Sequence, residues 1–193
     1  AVWNHLKNKK SIGIIRYLED QGIVEVAHPK GVIGAIAPVT NPVMTLMHNA
    51  MIVLKGANAI IIAPHPAGKN VGKKTCDIMR AALKDVGAPV DLIQCIEPDM
   101  VSVESSGLLM GMADVCIATG GPGMVKAAYS AGKPAYGVGA GNMQCILDED
   151  ADIIDAVPKI IRGRCYDNGV RCTCEQNVIC PEGQLNAIME EIG

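Results

Sequence analysis

The chain has 193 residues, of which 49% are hydrophobic, and its formal net charge is −3, so it can form one compact domain or part of a larger protein. The charge is small and the chain has no basic run, which argues against nucleic acid as the main partner. Its apolar runs are too short to span a bilayer and no signal-peptide pattern is present, so we expect a soluble, cytoplasmic protein without a membrane partner.

The first residues predict a helix end and a hairpin, and the chain then changes to a regular alternation. Residues 1–10 resemble the end of a helix, and two β-prone runs at 12–18 and 23–27 flank a polar turn. Further strands are expected at 31–39, 59–63, 92–96, 115–118 and 135–138, and helices at 43–54, 68–86, 101–112 and 124–131. This alternation, with Gly and Pro at the switches, predicts an α/β fold with a doubly wound, mostly parallel sheet.

A second unit is expected towards the end of the chain. A strand within 142–148 and a helix at 153–164 lead into a polar turn, which is followed by a strand at 177–180 and a helix at 182–192. We predict a boundary between residues 148 and 149. Because the chain begins and ends in helices and the second unit is half-built, the fold is expected to be incomplete at both ends.

The most distinctive local pattern surrounds Cys172. Asp167-Asn168-Gly169 favours a tight turn, since Asn and Gly accept positive φ angles at low cost. A cysteine just after such a turn lies near backbone N–H groups, which can stabilise its thiolate and also the oxyanion of an attacked carbonyl. Arg171 adds a positive charge beside it. Cys172 is therefore a candidate nucleophile, and a surface turn with incidental thiols is the alternative.

The remaining cysteines suggest simpler roles. All eight cysteines of the chain are expected to be reduced thiols, because the sequence carries no secretory signal. Five stand in apolar stretches and are expected to be small core residues: Cys76, Cys95, Cys116, Cys145 and Cys180. Cys165 and Cys174 lie with Cys172 in or beside the polar turn. The spacing of the last four cysteines lacks the paired C-x2-C of structural zinc sites, so no metal site is predicted.

Several segments that follow predicted strands are candidates for ligand binding, because open α/β sheets bind ligands at their carboxyl ends. Two of them, 119–126 and 137–142, are rich in Gly; the first opens a helix whose N–H groups suit a phosphate. Neither is a full dinucleotide motif, and tight turns are an equal alternative. Asn41 before Pro42 is a candidate helix N-cap. His65 lies at the same end of the sheet, although a lone His is more often structural.

These segments, in this order, resemble the acylating branch of the aldehyde dehydrogenase superfamily. The resemblance covers nearly the whole chain and depends most on the runs 118–130 and 166–176. It implies that residues 1–148 are part of an NAD(P)-binding domain and that residues 149–193 begin the catalytic domain. Because family members are more than twice as long, it also implies that the chain is the central part of a longer, homo-oligomeric protein.

The resemblance also implies roles for single residues. Cys172 is the nucleophile, and Cys174 stands where relatives often have Ser, so its thiol is expected to be dispensable. Thr40 matches roughly the oxyanion-hole Asn of hydrolytic relatives and Asn41 stands beside it; which of them serves the oxyanion is left open. The nicotinamide cofactor site is expected to involve Pro38, Val39, Thr40, Asn41, His65, Gly120, Gly121 and Gly139.

Two departures from the hydrolytic relatives bear on the reaction. Those enzymes carry a Glu general base in the segment that corresponds to residues 136–138, where this chain has no carboxylate. Without a base to activate water, the thioester on Cys172 should survive until a thiolate such as that of CoA attacks it. The Lys and Glu that face the adenosine ribose in the hydrolytic branch are also missing, at residues 63–66, which leaves NAD or NADP open.

The expected activity is the reversible conversion of an aldehyde, CoA and NAD(P)+ into acyl-CoA and NAD(P)H. Segments 2–7 and 137–148 are most similar to acylating enzymes for succinate semialdehyde or sulfoacetaldehyde, two anionic aldehydes, and Arg171 is a candidate partner for the anion. The alternatives are an acetaldehyde-specific acylating enzyme, a hydrolytic aldehyde dehydrogenase and a non-catalytic nucleotide-binding fragment. Association with a microcompartment is left open.

Overall fold

Our computed structural model describes residues 2–193, in which helices and strands alternate between residues 32 and 138. The strands are β1 (Gly13–Leu18), β2 (Ile23–Ala27), β3 (Val32–Ile36), β4 (Ala59–Ala63), β5 (Ile93–Cys95), β6 (Val115–Thr119), β7 (Ala135–Val138), β8 (Met143–Ile146) and β9 (Glu175–Ile179). The helices are α1 (Val2–Leu6), α2 (Met44–Lys55), α3 (Lys69–Asp85), α4 (Val103–Met112), α5 (Pro122–Tyr129), α6 (Ile153–Cys165) and α7 (Leu185–Ile192). No helix among these is both long and apolar enough to cross a membrane.

Strands β3 to β7 form one parallel sheet of five strands in the order β5-β4-β3-β6-β7. The first of these strands in the sequence lies at the centre, and the chain builds the sheet outward in both directions. This order confirms the predicted doubly wound α/β fold. Strands β3 and β4 are apolar on both faces, as expected for strands that helices cover from both sides.

The two faces of this sheet bury separate cores. On one face, Ile33, Ile60 and Ile62 pack with residues of α2 and α3, including Leu46. On the other face, strand residues such as Cys116 and Ala118 pack with residues of α4 and α5. Residues 33, 35 and 37 of β3 and its extension belong to the first core and Ile36 to the second, which is the two-residue period of a strand.

The predicted hairpin is formed by β1 and β2, which pair antiparallel. Gly22 closes the connection with a φ of 64°, a left-handed conformation that glycine adopts at low cost. Across the two strands, the Arg16 guanidinium holds the Glu25 carboxylate with two hydrogen bonds of 2.7 and 2.8 Å. The hydrogen bond from Arg16 lowers the pKa of Glu25, although both side chains are exposed.

A second compact unit comprises Ala140–Gly193. In it β8 and β9 pair parallel, and Leu147, Val157 and Ile188 form a small core with α6 and α7. The unit starts at Ala140 rather than at the predicted residue 149, because β8 pairs with β9 and not with the five-stranded sheet. The assignment of the two parts to cofactor binding and catalysis stays a prediction.

Candidate functional site

The carboxyl ends of four strands meet at one edge of the five-stranded sheet. Ile36 of β3 pairs with Ala63 of β4 and with Ala118 of β6, and Thr119 pairs with Val138 of β7. The predicted cofactor residues come directly after these positions: Pro38 to Asn41 after β3, His65 after β4, Gly120 and Gly121 after β6, and Gly139 after β7. The structure thus gathers all of them at the edge where open α/β sheets bind ligands.

Asn41 caps the turn that leads into α2. Its Oδ1 accepts a hydrogen bond of 3.2 Å from the N–H of Met44, and its carbonyl accepts one of 3.4 Å from Thr45. The predicted N-cap is therefore formed, although regular helix begins only at Met44. Within residues 2–193, neither the Nδ2 amide of Asn41 nor the Thr40 hydroxyl has a hydrogen-bond partner, so both remain available as donors. Both side chains are half-buried, which leaves them accessible to a small ligand.

His65 also has a structural role. Its Nδ1 accepts a hydrogen bond of 3.1 Å from the N–H of Ala67 and so caps the short 3₁₀ turn Pro66–Gly68 that precedes α3. In the neutral ring the proton then lies on Nε2. A Cβ atom at Gly68 would lie 3.3 Å from Cβ of Pro42, so the turn after β4 packs directly against the turn after β3.

The two Gly-rich segments are joined at the same edge. The N–H of Gly120 donates a hydrogen bond of 3.1 Å to the carbonyl of Val138. A Cβ atom at Gly121 would have no neighbour within 4 Å, so open space lies beside the start of α5. In the described part of the chain, the N–H groups of Gly121 and Gly123 have no backbone acceptor. Free N–H groups at the start of a helix suit a phosphate.

The segment that carries the general base in hydrolytic relatives is closed off at Gly137. A Cβ atom there would lie 2.6 Å from Cγ1 of Val125 and 2.8 Å from Cε2 of Tyr129, so no side chain fits. The Tyr129 hydroxyl also accepts a hydrogen bond of 3.0 Å from the N–H of Gly137. Neither α5 residue is predictable as part of the site; the only signal in the sequence is a glycine inside a predicted strand, which often marks a close approach.

Cys172 follows the predicted turn by three residues and is exposed. Asp167, Asn168 and Gly169 have φ angles of 54°, 55° and 68°, three successive left-handed residues. This confirms the turn, and the two residues with a Cβ carry backbone strain that Asp and Asn tolerate better than other residues. A Cβ atom at Gly141 would lie 3.1 Å from the carbonyl oxygen of Cys172, so the start of the second unit packs against the cysteine backbone.

The side chain of Arg171 is held by the turn itself. Its guanidinium lies over the Tyr166 ring, 4.9 Å from the centroid, and its Nε is 3.9 Å from Oδ2 of Asp167. A partly solvated carboxylate and an aromatic face therefore already neutralise some of its charge. To bind a substrate anion, Arg171 would have to share its charge with Asp167.

Cys174 lies beside the turn, but its side chain is buried. It is 3% exposed, and its Sγ is 3.5 Å from the carbonyl oxygen of Tyr166, because the chain turns inward just before β9. Cys165 is exposed. Of the five cysteines predicted to be core residues, Cys76 and Cys116 are buried, and Cys95, Cys145 and Cys180 are half-buried.

Glu175, which follows in the same segment, packs its carboxylate against Gly163 of α6. Its Oε2 is buried and has no hydrogen-bond partner in the described part of the chain. A side chain at residue 163 would meet this carboxylate, so the flexible end of Glu175 would have to move aside. No sequence pattern indicates this pair.

A cavity of about 330 Å3 lies in the first unit, away from the predicted cofactor edge. Its lining includes Lys30, Asn58 and Asp114, which lie at the amino ends of the strands, and Tyr136. None of the predicted site residues lines it. Among residues 2–193, no group of three His, Cys, Asp or Glu side chains is arranged to hold a metal ion.

The chain combines two features: a doubly wound sheet with glycine-rich turns at its carboxyl edge, and a unit that exposes a cysteine after a left-handed turn. Together they define a nucleotide-binding α/β protein with a candidate cysteine nucleophile. The chain belongs to the aldehyde dehydrogenase family, whose profile matches residues 3–193. The family and the fold predicted from the sequence are thereby confirmed.

Three similar proteins describe the branch. An acetylating succinate-semialdehyde dehydrogenase of Clostridium kluyveri is 54% identical over 98% of this chain and 41% of its own length. The crystal structure of an acetylating aldehyde dehydrogenase from Geobacillus thermoglucosidasius has a TM-score of 0.91 and 41% identity, over 99% of this chain and 42% of that one. A propionaldehyde dehydrogenase of Rhodopseudomonas palustris, solved with CoA bound and one cysteine acylated, has a TM-score of 0.79 and 34% identity, over 86% and 38%. The chain thus spans about two fifths of the length of these relatives.

Proposed function

We propose that this chain is the central part of a CoA-acylating aldehyde dehydrogenase (below, the full-length protein) in which Cys172 carries the acyl group. The observation that supports the proposal most is that Cys172 is exposed and follows three successive left-handed residues, 167–169, in the chain. A rigid turn of this kind presents the thiol to a substrate and leaves backbone N–H groups near it. The acylated cysteine of the Rhodopseudomonas palustris relative supports the same chemistry.

In the proposed reaction, the Cys172 thiolate attacks the aldehyde carbon and a C–S bond forms. A bound NAD(P)+ would supply the hydride acceptor that converts this adduct into a thioester. The CoA thiolate then attacks the thioester carbon, the bond to Cys172 breaks, and the cysteine thiolate is regenerated as acyl-CoA leaves. Every step is reversible, so the same residues serve acyl-CoA reduction.

The carboxyl edge of the five-stranded sheet fits the nicotinamide cofactor. Gly121 leaves open space, and the free N–H groups at the start of α5 suit a phosphate. Residues 63–66 contain no carboxylate that would repel a 2′-phosphate, so NAD and NADP should both be tested.

Asn41 is the better of the two candidate oxyanion donors. Its side-chain oxygen is already fixed by the N–H of Met44, which also fixes the orientation of the Nδ2 amide. The Thr40 hydroxyl makes no such bond within residues 2–193, so no hydrogen bond there fixes its orientation. A donor whose orientation is set before the reaction stabilises a developing oxyanion more than a mobile one.

The preference for CoA over water follows from residues 136–138. They contain no carboxylate, and residue 137 offers no space for one. Attack by water on the thioester therefore lacks a general base, a contribution of typically 10²- to 10⁴-fold in rate. A thiol such as that of CoA is already partly ionised at neutral pH, and its thiolate attacks without a general base.

We propose a small anionic aldehyde as substrate. Succinate semialdehyde is the aldehyde in the name of the Clostridium kluyveri relative, and sulfoacetaldehyde is the second anionic candidate. The neutral candidates are acetaldehyde and propionaldehyde. Arg171→Ala tests the proposed anion site, with Arg162→Ala on α6 as the matched control. If only Arg171→Ala reduces the preference for anionic over neutral aldehydes, the assignment holds; an unchanged preference contradicts it.

The central experiment measures NAD(P)H formation by the full-length protein with these aldehydes, with and without CoA. We expect turnover that requires CoA and is lost in Cys172→Ala, whereas Cys165→Ala, which removes the other exposed thiol, keeps most of it. Free acid formed without CoA at a matching rate would instead support a hydrolytic enzyme. No turnover in an intact, folded protein would support a nucleotide-binding scaffold.

A further inference from the structure

Strand β7 is the last strand of the five-stranded sheet, so within residues 2–193 one side of its backbone has no partner strand. At Gly137 the backbone N–H and carbonyl face this free side, and the side chain of Tyr129 from α5 contacts them instead of a strand. Its hydroxyl accepts a hydrogen bond of 3.0 Å from the N–H of Gly137 and lies 3.5 Å from the carbonyl oxygen of the same residue. One side chain thus occupies both edge groups of this residue.

The next residue is held from the opposite side. The carbonyl of Val138 accepts the hydrogen bond of 3.1 Å from the N–H of Gly120. The end of β7 is therefore clamped between Tyr129 and the Gly-rich turn, immediately before Gly139. Both Gly-rich segments that the sequence predicts for cofactor binding meet at this clamp.

The approach of the Tyr129 ring depends on glycine. A Cβ atom at Gly137 would lie 2.8 Å from Cε2 and 3.1 Å from Cζ of the ring. Tyr129 itself is 58% exposed, so it is not a core residue whose main contribution is burial. The contact that distinguishes Tyr129 is therefore the one between its hydroxyl and the backbone of Gly137.

We propose that Tyr129 is a positioning residue for the nicotinamide cofactor: through Gly137 it sets the path of residues 137–139 beside the Gly120–Gly121 turn. The inference rests on the proposed function, because it assigns a determinant of affinity to the proposed cofactor edge. Loss of the hydroxyl frees the outer side of β7 and lets the turn relax away from the geometry that binds the cofactor.

The test compares Tyr129→Phe with Tyr136→Phe in the full-length protein. Tyr129→Phe keeps the ring against Gly137 and removes only the hydroxyl. Tyr136 lies on the same strand, is 68% exposed and makes no side-chain hydrogen bond within residues 2–193, so it is the matched control. The dissociation constant of NADH and NADPH is measured by fluorescence, together with kcat, the KM values for aldehyde and CoA, and the melting temperature.

We expect Tyr129→Phe to raise the cofactor dissociation constant about 3- to 10-fold, the equivalent of one hydrogen bond. The KM values for aldehyde and CoA should change less than about 2-fold, and Tyr136→Phe should match the wild type. Equal cofactor affinity in both variants would overturn the inference. So would a parallel loss of kcat, all affinities and melting temperature, which indicates a merely structural role. Wild-type protein that binds neither cofactor would overturn the proposed function itself, and the inference with it.

Discussion

Gly72 offers a sharp test of how α3 packs against the proposed cofactor edge. It lies inside α3, where alanine in place of glycine normally stabilises a helix by roughly 0.5–1 kcal/mol. Here a Cβ atom would lie 2.7 Å from Cβ of Pro64, 3.4 Å from its Cγ and 3.6 Å from Cδ2 of Leu46. Pro64 and Leu46 are both buried and cannot move aside easily.

Overpacking of this kind costs about 1–3 kcal/mol, which exceeds the gain in helix propensity. We therefore expect Gly72→Ala to lower the free energy of unfolding by about 0.5–2 kcal/mol. Because Pro64 precedes His65, the same displacement should move the turn after β4 and weaken cofactor binding. The variant should thus lose both stability and cofactor affinity.

Gly107→Ala is the matched control. Gly107 lies inside α4, and a Cβ atom there would have no neighbour within 4 Å, so only the gain in helix propensity of roughly 0.5–1 kcal/mol remains. Urea unfolding followed by far-UV circular dichroism should give midpoints that move in opposite directions for the two variants. If Gly72→Ala proves as stabilising as Gly107→Ala, the close contact of α3 with the turn after β4 is wrong.

Three further predictions concern the thiols, the hydrogen bonds of Asn58 and the hairpin. Under native conditions iodoacetamide should alkylate Cys172 faster than the equally exposed Cys165, as mass spectrometry of digests can establish; equal rates would mean that the turn exposes the thiol without activating it. Asn58→Ala removes four hydrogen bonds that tie the start of β3 to the end of α2, so the free energy of unfolding should fall by about 2–4 kcal/mol. In the same urea titration, the control Asn70→Ala on the surface of α3 should change it by less than about 0.5 kcal/mol. In the hairpin, the ion pair with Arg16 lowers the pKa of Glu25, so the stability that this pair contributes is present at neutral pH and is lost as the pH falls through the lowered pKa. At neutral pH and low salt the wild type should therefore melt above Glu25→Gln, and the two melting temperatures should converge below about pH 4.

The sheet could be predicted from the sequence because its signals are local. Runs such as Ala59-Ile60-Ile61-Ile62-Ala63 carry their burial on both faces within five residues, and Gly or Pro marks each switch from strand to helix. The rules for parallel crossovers then limit how such strands can be ordered, but the order itself is seen only in the structure. The turn before Cys172 was predictable for the same reason, since Asn and Gly favour left-handed backbone wherever they stand.

The contacts that the sequence could not indicate all join residues from different elements. Tyr129 meets Gly137, Glu175 meets Gly163, and each pair depends on how a helix is rotated against a strand. Cys174 stands among polar neighbours in the sequence and yet is buried, because the chain changes direction between the turn and β9. Periodicity within one element contains no information about such pairs.

For Asn41 and His65 the sequence allows both a structural and a functional interpretation, and their geometry makes the two compatible. Each uses one acceptor atom, Oδ1 or Nδ1, to cap the turn that leads into the next helix. In both side chains the remaining polar group is a donor, the Nδ2 amide or the Nε2–H of the neutral ring. The cap fixes the rotamer, so the donor is held in place before any ligand arrives, which is what an oxyanion or a ribose hydroxyl requires. A structural role for these two residues is therefore a reason to expect the functional one.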